Sequence, residues 1–254
     1  MRDIVLSKRM ETVVNMVSPR SFAIADVGCD HAYVSIALIE RNIADKVVAM
    51  DVRSGPLEIA RRNVASYDME KKIELRLSDG LDKLSTGEVD AIVIAGMGGL
   101  LIQSILEKGK EILEWEEKRP SLILQPQSDI REVRIFLQEH AYHIVQEKML
   151  IDDGKYYTVI KAEPGKEKQK YGETELRYGL YNLEHCNAVL YEYLKKEKNV
   201  LESLAKKLTA IVEEAERTGG MISDKTVKRR DSVWKEKEMN REALEYYVNL
   251  EEYI

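Results

Sequence analysis

Cysteine is nearly absent from this 254-residue chain, and basic charge is not in excess. The two cysteines, Cys29 and Cys186, stand far apart, which excludes a disulfide scaffold and a cysteine-based metal site. Lys and Arg total 39 against 45 Asp and Glu, a net charge of −6. That balance excludes a simple polybasic nucleic-acid binder but not a local basic face on an acidic protein. The opening MRDIVLSKRMETVV lacks the continuous apolar core of a signal peptide. No stretch reaches the roughly 18 apolar residues of a membrane span, and there are no internal repeats or low-complexity tracts. The expectation is a soluble cytoplasmic protein, a monomer with no metal and no membrane partner.

What is present is an alternation. With 44% hydrophobic residues, the chain holds enough apolar side chains for a sizeable core. A helix is expected over 6–17, with Ser7 as a cap and Val13, Val14 and Val17 on one face. Buried strands are expected over 22–28, 46–52, 72–80, 90–99 and 121–127, separated by helices over 32–41, 56–67, 100–109 and 129–140. Segments 144–151 and 156–162 suit a final hairpin about the turn Asp152-Asp153-Gly154. Short apolar runs alternating with helices make a doubly wound, mostly parallel sheet covered on both faces. Such sheets bind ligands beyond the carboxyl ends of their strands. Every unusual motif falls at such an end: DVGCDHA, DVRSG, LSDG, AGMGG and LQPQ.

Composition shifts near residue 163. The segment 163–179 is polar and turn-rich and reads as a linker. Leu190, Leu194, Leu201, Leu204, Leu208 and Ile211 then recur at near-heptad steps, ending at Thr218-Gly219-Gly220. A second helical pattern over 223–253 carries Val227, Trp234, Leu244 and Tyr247 or Val248. Two helices joined by a glycine turn form an antiparallel hairpin. The expected division is a Rossmann-like α/β domain over 1–162 and a helical coiled-coil domain over 163–254.

The first strand end lacks the second glycine of a dinucleotide fingerprint: Cys29, Asp30 and His31 follow Gly28. Glycines let a pyrophosphate approach the backbone, and an anionic side chain opposes it. Asp30 therefore disfavours NAD and suits a ligand with cationic groups, such as S-adenosylmethionine. Asp51, ending the second strand, is placed to accept from ribose hydroxyls. Ser78-Asp79-Gly80 is placed to meet an adenine. The fourth strand end lacks the Asn/Asp-Pro-Pro-aromatic segment common in enzymes that methylate exocyclic amines. Gly96, Gly98 and Gly99 offer backbone freedom instead, and Met97 an adaptable apolar contact. Gln125 and Gln127, flanking Pro126, carry amides of the kind a base edge requires.

These segments closely resemble the bacterial tRNA (adenine-22-N1)-methyltransferase family, TrmK. The matches are Leu6-Ser-Lys-Arg9, Ala25-Asp-Val-Gly-Cys-Asp-His-Ala-Tyr33, Val48-Ala-Met-Asp51, Leu77-Ser-Asp-Gly-Leu81, Ile94-Ala-Gly-Met-Gly-Gly99 and Leu122-Ile-Leu-Gln-Pro126. They cover nearly all of the first half, in order. The chain departs from the family pattern at Gln127, where asparagine is expected, and at Val34-Ser35, where Leu-Pro is expected. The resemblance implies a Rossmann-like class I methyltransferase domain with a C-terminal α-helical coiled-coil hairpin. It implies methyl transfer from S-adenosylmethionine to N1 of an adenine in tRNA. Carried onto this chain, it gives a donor site of Asp26, Gly28, Cys29, Asp30, His31, Asp51, Val52, Ser78, Asp79, Gly80, Ala95 and Gly96. The reacting centre would comprise Asp30, His31, Gly96, Met97, Gln125 and Pro126. Arg9, Tyr33 and Gln127, with Lys225, Lys228, Arg229 and Arg230 on the last helix, would contact RNA.

Adenine N1 carries an in-plane lone pair and attacks without prior deprotonation. A nearby carboxylate would stabilise the cationic product and take its proton, and Asp30 is the first candidate. Holding the donor is an equal alternative for Asp30 and His31. Three other readings stay open at this point: a methyltransferase for a small molecule or protein, a nicotinamide-dependent oxidoreductase, and a non-catalytic assembly protein built on the helical hairpin.

Overall fold

Continuous apolar runs become strands buried on both faces. The computed structural model, which describes residues 4–219 and 221–248, contains a seven-stranded sheet ordered β3-β2-β1-β4-β5-β7-β6. Its strands are β1 (Ser21–Val27), β2 (Ala44–Asp51), β3 (Ile73–Leu77), β4 (Ala91–Met97), β5 (Ser121–Pro126), β6 (Tyr142–Asp152) and β7 (Lys155–Pro164). The first five run parallel, and β7 is antiparallel to both β5 and β6. Helices α1 (Lys8–Met16), α2 (Tyr33–Glu40), α3 (Ser54–Ser66), α4 (Gly99–Lys108), α5 (Lys110–Leu113) and α6 (Ile130–Glu139) connect them. Ile24, Ile92, Val93, Leu122 and Ile123 are wholly buried at the centre. Strand order reverses between β1 and β4, which opens a crevice beyond their carboxyl ends.

Local chemistry sets the element ends. Ser7 caps α1 by accepting from the Met10 amide. The turn after β1 is pinned to β2, because the Met50 carbonyl accepts from the amides of both Gly28 and Cys29, at 2.8 and 2.9 Å. Asp30 and Ala32 then take left-handed conformations, φ +49° and +62°, before α2 begins. Within the segment expected as a linker, α7 (Glu173–Tyr178) already forms, followed by α8 (Leu180–Glu184). Tyr171, Leu176 and Tyr178 are buried there, so the expected linker is largely folded. The chain divides into Met1–Lys170 and Tyr171–Ile254, later than the boundary expected at 162, because β7 continues to Pro164.

The second unit is built on α9 (Ala188–Thr218) and α10 (Asp224–Glu245). Asn187 caps α9 by accepting from the Val189 and Leu190 amides, each at 3.0 Å. The Asn240 amide reaches the Leu194 carbonyl at 3.1 Å, and Val233 packs with Leu201 and Ala205, which fixes the pair as antiparallel. The expected seam needs correcting. Ile211, Trp234 and Val248 are exposed, and the buried positions of α10 are Val233, Asn240 and Ala243, with Tyr247 just beyond. Of the pair offered by sequence, Tyr247 and not Val248 joins the seam, while Val233 takes the place expected for Trp234. Gly220 and residues 249–253, which the sequence assigned to the turn and the last helix, lie outside the described residues.

One ion pair is buried where α6 crosses the sheet edge. Arg134 of α6 donates through Nε and Nη2 to Glu147 Oε1 of β6, at 3.0 and 2.6 Å, and both side chains are almost inaccessible. Removing one partner strands the other charge out of water. Arg134→Met should therefore destabilise the protein by about 3–5 kcal/mol, and Arg134→Met/Glu147→Leu should recover most of that loss. Chemical denaturation of both variants checks the difference.

Candidate active site

The carboxyl ends of β1 to β4 surround a cleft of about 570 Å³. It is lined by Arg9, Asp26, Gly28, Cys29, Asp30, His31, Tyr33, Asp51, Val52, Ser78, Asp79, Gly80, Ala95, Gly96, Met97 and Gln127. Sixteen of the residues expected from sequence thus meet in one place. Met10, Val34, Arg53, Leu101 and Ile105 also line it and were missed. Met10, Val34, Leu101 and Ile105 are apolar and give no signal of a site, whereas Arg53 lies in the DVRSG motif and was passed over there.

Four carboxylates give the cleft its sign. Asp26 ends β1 and is buried. Ser35 Oγ donates to it at 2.5 Å, so one departure from the family pattern supplies a direct partner. Burial nevertheless pushes the Asp26 carboxyl up to about 6, with the Ser35 hydroxyl and amide pulling the other way. Asp51, also buried, accepts from the Asp30 amide at 3.3 Å through Oδ2 and from the Arg53 amide at 2.9 Å through Oδ1. These bonds orient the carboxylate, and each oxygen retains a lone pair. Asp79 is exposed and pairs with Lys108 at 3.2 Å, a surface contact of little energetic weight. The Asp30 side chain is 60% exposed, and His31 Nε2 lies 3.7 Å from its Oδ1. Tyr33 is exposed, its ring edge-on to His31 at 6.1 Å, so it is not a core residue. Cys29 is buried, and burial with the charges of Asp26 and Asp51 pushes its thiol well above the ordinary range. It is no nucleophile.

Two glycines shape the floor. Gly28 has φ +72°, and a Cβ there would stand 2.1 Å from the Met97 methyl carbon. The Met97 side chain therefore occupies the space that a side chain at 28 would need. Gly96 has φ +78°, and its missing Cβ would lie 3.5 Å from Arg9 Nη1 and 3.8 Å from Gln127 Nε2. It leaves an open ledge between a cation and an amide.

Arg9 returns to the site from α1 and is held three ways. Its Nη1 donates to Gln125 Oε1 at 2.7 Å, its backbone amide to Asp152 Oδ2 at 3.0 Å, and its guanidinium lies over the Tyr157 ring at 5.1 Å. The Arg9 amide, with Ser7, holds the Asp152 carboxyl below its ordinary range. Asp152 and Tyr157, in the terminal hairpin, were not expected in this role. Gln125 and Pro126 do not line the cleft; both are buried. Gln125 Oε1 also accepts from the Gly96 amide at 3.1 Å, and its Nε2 donates to the Pro126 carbonyl at 3.0 Å. The expectation that Gln125 meets a base edge is therefore corrected: it holds Arg9 and Gly96. Lys225, Lys228, Arg229 and Arg230 belong to α10 in the other unit. Lys225 and Lys228 are exposed, while Arg229 pairs with Glu236 and Arg230 with Asp231, each at 3.0 Å.

Among the described residues no cluster of ligating side chains suits a metal ion, and no helix is long and apolar enough to cross a membrane. The family model described as tRNA (adenine(22)-N(1))-methyltransferase matches residues 24–231. The tRNA (adenine(22)-N(1))-methyltransferase of Bacillus subtilis is 36% identical over 201 residues, 79% of each chain. The crystal structure of the B. subtilis tRNA methyltransferase TrmK is similar with a TM-score of 0.80 at 28% identity, covering 95% of this chain and 100% of that one. A Streptococcus pneumoniae protein solved in complex with S-adenosyl-L-methionine is similar at 33% identity with a TM-score of 0.76, covering 94% of this chain and 100% of that one.

The raised Asp26 carboxyl has a consequence for stability. Its folded value, about 6, exceeds the ordinary 3.8, so the native protein binds this proton more tightly than the unfolded chain. Stability from this group is complete below about pH 4 and is lost as pH rises through 6, a cost of about 3 kcal/mol. Asp26→Asn should remove that slope, leaving an unfolding free energy that changes less between these values than in the parent. Denaturation in a pH series measures it, and parallel curves for parent and variant would refute it.

Proposed function

The chain belongs to the tRNA (adenine(22)-N(1))-methyltransferase family, and on that premise we propose which of its residues carry methyl transfer from S-adenosylmethionine to N1 of the target adenine. S-adenosylmethionine, when bound, supplies a methyl group activated by a positive sulfonium. A cleft whose walls carry Asp26, Asp30, Asp51 and Asp79 fits a ligand with sulfonium and ammonium charges and disfavours a pyrophosphate. That acid count at one strand-end crevice is the observation that carries the assignment. Asp51, oriented by two amides, accepts from the ribose hydroxyls. Ser78, Asp79 and Gly80 meet the adenine, with Val52, Ala95 and Gly96 completing the walls. Asp26 and the Gly28-Cys29 turn hold the negative field behind them, beside His31.

The adenine of the tRNA approaches over the Gly96 ledge. Its N1 lone pair forms the new bond to carbon as the carbon–sulfur bond breaks toward sulfur. The base gains one positive charge and then loses a proton from its exocyclic amine. Asp30, exposed in the cleft and held in position by the bond from its own amide to Asp51, stabilises that charge and accepts the proton. Met97 packs against the base, and Pro126 holds the backbone beneath it. Gln125 acts through Arg9, whose guanidinium binds a phosphate of the target strand. Tyr33 stacks on the base once it leaves the helix. We assign the first unit, Met1–Lys170, to donor binding and chemistry, and the helical unit after it to tRNA. The protein works as a cytoplasmic monomer, with Lys225, Lys228, Arg229 and Arg230 contacting phosphates.

Incubation with methyl donor and unmodified tRNA, followed by nucleoside mapping, should yield 1-methyladenosine at position 22. Asp30→Ala should abolish turnover; activity within about tenfold of the parent, roughly 1.4 kcal/mol in barrier, would exclude Asp30 as the essential carboxylate. Lys225→Glu/Lys228→Glu should weaken tRNA binding and reduce the salt dependence by about 0.7–0.9 per lost phosphate contact. Filter binding across a salt series reads the slope, and an unchanged slope would remove these lysines from the interface.

A further inference from the structure

A base methylated at N1 must turn its Watson–Crick edge toward the donor. Hydrogen-bonding groups on that edge are then unavailable for recognition. The enzyme must tell adenine from the other bases by what remains, and the Hoogsteen edge carries the most information. There adenine presents one N6–H donor beside the N7 acceptor, a pair that an amide side chain matches with its oxygen and nitrogen. A carboxylate offers only acceptors, and a guanidinium only donors.

Gln127 is the amide placed to do this. Among the described residues lining the cleft it is the one Asn or Gln. Its backbone is fixed, the amide donating to the Met97 carbonyl at 2.8 Å. Its side chain is exposed and makes no hydrogen bond among the described residues. Its Nε2 borders the open ledge of Gly96, with the Arg9 guanidinium on the same ledge. The neighbouring Gln125 is excluded, because both ends of its amide are already bonded in the interior.

We propose that Gln127 selects adenine by its Hoogsteen edge, Oε1 accepting from N6–H and Nε2 donating to N7, which leaves N1 facing the methyl donor. This rests on the adenine-N1 assignment above and adds the edge by which the base is read. Guanine, with acceptors at both O6 and N7, would set its O6 against Oε1 and is rejected.

The test pairs a base analogue with a variant. A tRNA carrying 7-deazaadenosine at the target position lacks the N7 acceptor. With the parent enzyme its kcat/KM should fall roughly fivefold to tenfold, the worth of one hydrogen bond. With Gln127→Ala that penalty should disappear, because the partner is already gone. Any change in N1 basicity is common to both enzymes and cancels in the cycle. A 3-deazaadenosine substrate, whose Hoogsteen edge is intact, should affect parent and variant equally. Equal effects of 7-deazaadenosine on parent and variant would overturn the proposal while 1-methyladenosine still formed on ordinary tRNA. Absence of 1-methyladenosine on ordinary tRNA would instead overturn the assignment beneath it.

Discussion

A single buried carbonyl oxygen ties the site together. Gln125 Oε1 accepts from the Arg9 guanidinium and from the Gly96 amide, and so joins α1, the end of β4 and the end of β5. Each of those segments contributes a wall to the cleft, and none is adjacent to the others in sequence. The amide suits the task because its other end is bonded to the Pro126 carbonyl, which fixes which way the group points. A buried carboxylate here would also accept both bonds, but it would add a fifth negative charge and a desolvation cost.

The acids of the cleft are held in place by the backbone more than by each other. Asp51 takes amides from two different loops, and Asp26 takes the Ser35 hydroxyl. Arg53 beside Asp51 and Lys108 beside Asp79 offset part of the negative charge. Asp30 and Ala32 take left-handed conformations in the turn, a backbone strain. The parallel sheet carries it, with central strands buried on both faces and paired on both sides. A rigid scaffold thus holds a strained, acidic ligand site, as such folds commonly do.

The sheet was legible because fully buried parallel strands leave continuous apolar runs, and the cleft because polar motifs interrupt those runs at one end only. Gly28, Asp51, Asp79 and Gly96 were found that way. Other features leave no such trace. Gln125 and Gln127 carry the same side chain at a spacing that would put both on one face of a strand, and only the end of β5 at Pro126 separates the buried Gln125 from the exposed Gln127. Asp152 and Tyr157 lie more than a hundred residues from Arg9, and only the packing of α1 on the β6–β7 hairpin brings them to it. The α9 side of the helical seam was legible in its leucines, but the α10 side was partly misread, because Val233, Asn240 and Ala243 occupy it while the bulkier Trp234 faces out. The segment after β7 folds despite its polar composition because Tyr171, Leu176 and Tyr178 find a core of their own.

The contact between Gly28 and Met97 bears on how such a chain can change over time. The methyl of Met97 fills the place where a side chain at position 28 would project. That methyl is the far end of a flexible side chain and can swing aside, so it does not by itself forbid a side chain at 28. The positive φ of Gly28 does, because residues with a Cβ rarely adopt it. Change over time at this corner of the cleft is therefore limited by the backbone of the turn at 28 rather than by the bulk of its neighbour about seventy residues away.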